Sequence, residues 1–146
     1  MSNLSFSTGF RNAILDSGLD TLFDSGFLDI YSGTIPADAD ATEGAGTLLA
    51  SIELGATALA AAASGAKAKT GTWSEAAAPV SPSGTAAWAR LYDSNHTTGA
   101  STTAVRIDMD VTIVAGGGDL EISSLTIANG DSIVVDSFTF SLPLSA

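Results

Sequence analysis

Catalysis and metal binding need ionisable side chains gathered at a few positions, and this chain of 146 residues is poor in them: one histidine, five Lys and Arg together, and no cysteine. Without a thiol there is no thiolate nucleophile, no thiolate metal site and no disulfide. His96 alone cannot supply both a base and its partner. Asp38, Asp40, Thr42 and Glu43 alternate like the oxygen ligands of a calcium loop. Gly44 falls one place later than that turn requires, however, and Leu49 stands where the closing glutamate belongs, so a solvated acidic loop is expected. Asp108 and Asp110 share a strand face and would suit paired acid and base chemistry only inside a cleft, of which the sequence gives no sign. They read as two wet positions on a half-buried strand.

The remaining chemistry-bearing residues read the same way. His96 lies in the turn-rich stretch Asp93 to Gly99 and is expected to face solvent, with no second histidine to complete a metal site. Gly116-Gly117-Gly118 follows a strand, as phosphate loops do, but Asp119 and another strand come next where a lysine and a helix are needed, so a hairpin turn is expected. Trp73 and Trp88 would stack on a sugar ring if exposed, whereas burial is the commoner use of tryptophan in a small β-domain. An enzyme would require a cleft that gathers Asp108, Asp110 or Glu121 around His96. The expectation is a non-enzymatic protein with no cofactor and no metal.

Composition narrows the partners. Sixteen Asp and Glu against five Lys and Arg give a formal charge of -11, which leaves little to neutralise a phosphate backbone or an anionic membrane, so neither nucleic acid nor membrane is expected as a partner. Met1 to Phe10 has neither a basic start nor an apolar run, and no stretch of about 18 apolar residues occurs, so no export signal or spanning helix is expected. Charged residues are 14% of the chain, below the usual share of roughly 25%, which suits a surface partly covered by other proteins. A small-molecule substrate is not expected.

The elements that would carry these residues follow from periodicity. From Gly9 to Asp24 the residues Phe10, Ile14, Leu15, Leu19, Leu22 and Phe23 form one apolar helical face, with Asp16, Asp20 and Asp24 as an acidic stripe. Gly18 is a possible kink and Gly26 a stop. Strands are expected at Leu28 to Tyr31, Thr47 to Leu54, Thr85 to Tyr92, Ala104 to Val114, Leu120 to Ile127 and Ile133 to Leu142, with Gly33 to Gly46 as a long loop. The alanine-dense Gly55 to Gly71 is open between a loop and a short helix. Pro79 to Gly84 is a break. In Ala104 to Val114, Val105, Ile107, Met109, Val111 and Ile113 alternate with Arg106, Asp108, Asp110 and Thr112, so one face should be buried and the other wet. Phe138, Phe140 and Leu142 repeat that rule. The fold class expected is mainly β: a single antiparallel β-sandwich or jelly-roll-like domain over residues 9–146, with an N-terminal helix at 9–24 and an N-terminal arm at 1–8.

Longer runs of sequence carry a resemblance. Ile30-Tyr31-Ser32-Gly33-Thr34-Ile35-Pro36-Ala37, Gly46-Thr47-Leu48-Leu49-Ala50-Ser51-Ile52, Gly84-Thr85-Ala86-Ala87-Trp88-Ala89-Arg90-Leu91 and Val135-Asp136-Ser137-Phe138-Thr139-Phe140 follow one another in an order that resembles a group of small tailed-bacteriophage virion structural proteins. The likeness covers about residues 9 to 143 and brings no catalytic residues with it. It implies a structural protein of the virion, foremost a capsid decoration or cement protein made in the host cytoplasm and carried on the capsid surface. Its partners would be the major capsid protein and itself, as a trimer. A tail or neck component (tube, terminator or tip) and a carbohydrate or receptor-binding module are the alternatives. Leu4, Phe6, Phe10 and Arg11 are the residues expected to contact a partner; Met1 to Thr8 is either an arm lying in a partner's groove or a frayed terminus.

Overall fold

The computed structural model describes residues 4–75 and 82–141. Met1 to Asn3 of the expected arm, part of the break at Pro79 to Gly84, and Leu142 of the last expected strand lie outside them. In chain order the elements are β1 (Ser5–Phe6), α1 (Thr8–Ser17), β2 (Phe27–Tyr31), β3 (Leu48–Glu53), β4 (Ala66–Ala68), β5 (Ser74–Glu75) and β6 (Gly84–Thr85). They continue with β7 (Trp88–Tyr92), β8 (Arg106–Ile113), β9 (Leu120–Ile122), β10 (Thr126–Ile127) and β11 (Ile133–Ser141). The protein is mainly β, as its alternating segments predict.

The N-terminal segment is tied down by one hydroxyl. Ser7 caps α1 by accepting the Phe10 N–H at 3.0 Å, donates to the Ala104 carbonyl at 2.7 Å and accepts the Arg106 N–H at 3.1 Å. Just before it, β1 pairs antiparallel with β8, placing Phe6 opposite Ile107. Leu4 to Thr8 is therefore part of the domain's own packing. The helix stops well short of Asp24: Gly18, at φ +76°, turns the chain and its N–H closes on the Ile14 carbonyl. Beyond it there is no helical acidic stripe, because Asp20 pairs with Lys67 and Asp24 accepts the Ala58 N–H. The alanine-dense segment is a tight hairpin, with Ala63 bridged to Ala66, Leu59 bridged to Lys69, and Ser64 and Gly65 at positive φ in its turn.

In place of two stacked antiparallel sheets, nine strands form one sheet along the path β3-β2-β7-β8-β9-β11-β4, with β1 on β8 and β5 on β11, and β6 and β10 pair separately as a short antiparallel ribbon. The sheet is mixed and curls into a half-barrel around its apolar side chains. Leu28, Ile30, Ile52, Leu91, Met109 and Val135 are buried in that core. Phe6, Phe10, Phe23 and Phe140 close one end, the Phe6 and Phe10 rings stacking at 5.0 Å. Opposite flanks of the curl meet where the Ser51 N–H of β3 donates to the Glu75 carboxylate of β5 at 3.1 Å, while Glu75 stands opposite Ile133 of β11. A side chain serves there in place of a backbone ladder, which blunts the β3 edge.

The glycine run after β8 differs from the expected hairpin. β8 and β9 are parallel, with Val111 beside Leu120 and Ile113 beside Ile122, so the chain must double back within a few residues. It does so by lying on Thr112: a Cβ at Gly118 would sit 2.6 Å from the Thr112 Cγ2, and one at Gly116 would sit 2.7 Å from the Thr112 Cβ. The Gly118 N–H donates to the Thr112 hydroxyl at 3.1 Å. Glycine is required by close approach, and no anion-binding nest is built. Gly118→Ala is therefore expected to lower stability by about 1–3 kcal/mol, the usual cost of forcing an extra carbon into a packed site. Much of that penalty should disappear in a Thr112→Ala background; denaturant melts of the four variants in that cycle check it.

Candidate functional site

Strand alternation places a second set of side chains on the opposite face of the sheet from the apolar core. Asp29 and Tyr31 of β2, Ser51 of β3, Trp88, Arg90 and Tyr92 of β7, and Arg106 and Asp108 of β8 lie there. This face was expected to be wet. Instead, Arg90, Arg106 and Asp108 are fully buried and Asp29 nearly so, because residues from the 32–47 and 93–105 connections fold over them. The covering loops are held by charge-assisted hydrogen bonds.

Asp108 and Arg90 face each other across β7 and β8 at matched register. Arg90 Nε donates to Asp108 Oδ1 at 2.5 Å and Nη2 to Oδ2 at 2.8 Å, the two-pronged geometry of a guanidinium on a carboxylate, and burial raises the Asp108 pKa against the opposing pull of Arg90. Burial opposes the Arg90 charge, but the Asp108 carboxylate outweighs it and holds the guanidinium's pKa above its ordinary value. The free prong, Nη1, reaches the Ala41 carbonyl at 2.9 Å and Glu43 at 3.1 Å.

Glu43 is the hub of the first loop. Besides Arg90 it accepts the Tyr92 hydroxyl at 3.0 Å and the Gly99 N–H at 3.1 Å, joining both covering loops to β7. Burial works against its ionisation, yet the backbone N–H donors, Tyr92 and Arg90 together pull its pKa below the usual glutamate range. Arg106 staples the second loop by donating to the carbonyls of Gly99 at 2.6 Å and Ser101 at 2.9 Å. Its Nε has no hydrogen-bond partner among the described residues, and burial followed by the nearby Arg90 charge lowers its pKa.

His96 is the second pin. Its Nε2 lies 2.8 Å from Asp29 Oδ2, its ring stacks on Phe27 at 4.3 Å, and Tyr92 meets it edge-on. The residue sits at φ +47°, a costly backbone for any side chain with a Cβ, which these contacts hold in place. The histidine expected to face solvent is thus a loop anchor whose side chain is 29% exposed. Asp29 also accepts the Ser51 hydroxyl at 2.5 Å and the Tyr31 hydroxyl at 3.2 Å. Burial, and after it the neighbouring carboxylates, raise the Tyr31 pKa. Ser51 donates to the aspartate, not to the histidine, so the three do not make a nucleophile, base and orienter relay.

The structure separates the other residues singled out in the sequence. Asp38 accepts the N–H groups of Asp40 and Ala41, Asp40 accepts the Thr8 N–H and hydroxyl, and Glu43 turns inward, so the calcium-like spacing does not converge on a point. No group of three or more His, Asp or Glu suited to a metal occurs among the described residues. Asp110 accepts the Asp119 N–H and Glu121 the Gly117 N–H, while His96 is paired with Asp29 and Asp108 with Arg90. Trp73 and Trp88 are buried and present no platform for a sugar. Of the four residues expected to meet a partner, Phe10 is 1% exposed in the aromatic end of the core and is not available, which corrects that expectation. Leu4 and Phe6 are half-buried against the core, and Arg11 alone is exposed, its guanidinium donating to the Thr8 hydroxyl.

Two features escaped sequence reasoning. Ile113 and Val114, at the end of β8, are each 52% exposed even though Ile113 follows the buried alternation of that strand. Their position just before the glycine run was the available signal, since the doubling loop begins there. A cleft of about 230 Å³ lies between Ile122 and Ile133, walled by Ser123, Thr126, Asp131 and Ser132.

The polar layer makes two expectations. Arg90→Met leaves Asp108 buried without its countercharge and should cost about 3–5 kcal/mol, recovered in part by Arg90→Met with Asp108→Leu; denaturant titration reads both. Because the folded pKa of Glu43 is depressed, its contribution is complete above the unfolded glutamate value and is lost as pH falls through the lower folded value. Glu43→Gln should therefore be less stable at neutral pH and show a flatter loss of stability on acidification, read by melts across the acid range. Compared with known proteins, the chain matches no family model, no curated protein and no solved structure.

Proposed function

We propose that this protein is a structural subunit of a tailed-phage virion, a capsid decoration or cement protein that docks on the major capsid protein lattice. The observation that carries this reading is the use to which the charged groups are put. Arg90, Asp108, Glu43, Arg106, Asp29 and His96 all serve to clamp two loops onto the sheet, while Ile113 and Val114 are turned outward. Ion pairs inside and apolar side chains outside suit a rigid block that works by surface complementarity. The resemblance of the four sequence runs supports the same reading, with the protein made in the host cytoplasm, displayed on the capsid surface and associating with itself as a trimer. A jelly-roll-like arrangement is part of this reading, supported by the curl of the sheet around its apolar side chains. A tail or neck subunit is the rival reading, and copy number separates them.

Purified particles from infected cells provide the test. Mass spectrometry and electron microscopy are expected to find the protein on the head at a copy number comparable to the capsid protein. A small multiple of six in the tail would favour the rival, and absence from purified particles would remove both. Ile113→Ser with Val114→Ser should keep the fold and weaken docking by roughly ten-fold or more, since each large apolar side chain buried at an interface is worth about 1.5–3 kcal/mol.

A further inference from the structure

We infer that Asn129 is a site of spontaneous covalent modification, converting through a succinimide to aspartate and isoaspartate in the folded protein. The chain holds four asparagines, and only Asn129 is followed by glycine. The nucleophile in this reaction is the backbone nitrogen of the next residue, so its steric and hydrogen-bonding state decides which asparagine reacts. Asn129 is exposed at the middle of the turn closed by the Asp131 N–H on the Ala128 carbonyl at 3.0 Å. Gly130 lies at φ +88° with open space where a side chain would stand. Neither the Asn129 side-chain amide nor the Gly130 N–H has a hydrogen-bond partner among the described residues.

Asn95 is the internal contrast. Its side-chain amide is tied to Asp93 Oδ2 at 2.9 Å, the following nitrogen donates to the Asp93 carbonyl at 3.1 Å, and the residue that follows is the anchored His96. Asn3 and Asn12 are followed by Leu4 and Ala13, whose β-carbons hinder the attack.

The step balances without any cofactor. The Gly130 nitrogen loses its proton to solvent base and bonds to the Asn129 side-chain carbonyl carbon; that carbon's bond to nitrogen breaks and ammonia leaves. Water then opens the five-membered ring at either carbonyl. One opening restores the backbone as aspartate, and the other routes it through the side chain as isoaspartate, inserting a methylene. Both add a negative charge to a chain already at -11. The change falls between β10 and β11, next to Asp131 and Ser132 of the cleft.

Incubating the folded full-length protein at mildly alkaline pH and following it by peptide mapping tests the inference. A mass gain of about one dalton should appear in the peptide holding Asn129, with isoaspartate detected by enzymatic methyl labelling, and Asn95 should react about ten-fold more slowly. Asn129→Gln should abolish the labelling with an unchanged melting temperature. No gain at Asn129 over a period in which a short unfolded peptide of the same sequence reacts fully, or equal rates at Asn95 and Asn129, would overturn it.

Discussion

A charge taken out of water must meet a countercharge, and the architecture is organised around that constraint at Arg90 and Asp108. Both side chains are fully buried, and their mutual hydrogen bonds leave only one prong of the guanidinium free. That prong must also be satisfied, and Ala41 and Glu43 satisfy it only if the loop after β2 folds across the sheet. Glu43 in turn reaches Gly99 and so draws in the loop after β7. Arg106 and His96 fasten that second loop from either side. The covering of the sheet's second face is thus a consequence of ion pairing, just as the filling of its first face is a consequence of apolar burial.

This gives the half-barrel two interiors of different character. The apolar one tolerates repacking as long as volume is kept, whereas the polar one depends on matching donors to acceptors, with Arg106 Nε and Trp88 Nε1 left unmatched among the described residues. Loops that would otherwise be the mobile parts of a small β-domain are fixed at several points each. A protein whose connections are as well determined as its strands has a surface of fixed shape. Two of the five basic groups, Arg90 and Arg106, lie in the interior, but Asp29 and Asp108 are buried with them, so the charge that faces outward stays near the formal -11.

Much of the local chemistry is legible in the residues themselves. Alternating side chains mark β2, β7, β8 and β11, Gly18 marks a place where a helix can turn, and buried tryptophan is the commoner use of Trp73 and Trp88. The triple glycine marks a turn but not its direction, since the parallel return of β9 depends on Thr112 lying underneath. The place of Phe10 on an apolar helix face says only that it is buried against something; the aromatic end of the sheet supplies that something within the same chain. His96 carries no sequence signal for its role at all, because Asp29 and Phe27, which hold it, lie more than sixty residues away.

Residue order alone sets periodicity, charge and the identity of the chemical groups: a mainly β chain, strongly acidic, without thiols and with a single histidine. That the polar face of the sheet is an interior emerges only in three dimensions. Alternation assigns side chains to opposite faces through local backbone geometry, but whether a face meets water depends on what distant segments are drawn over it, and that is set by pairings such as Arg90 with Glu43, between residues 47 positions apart.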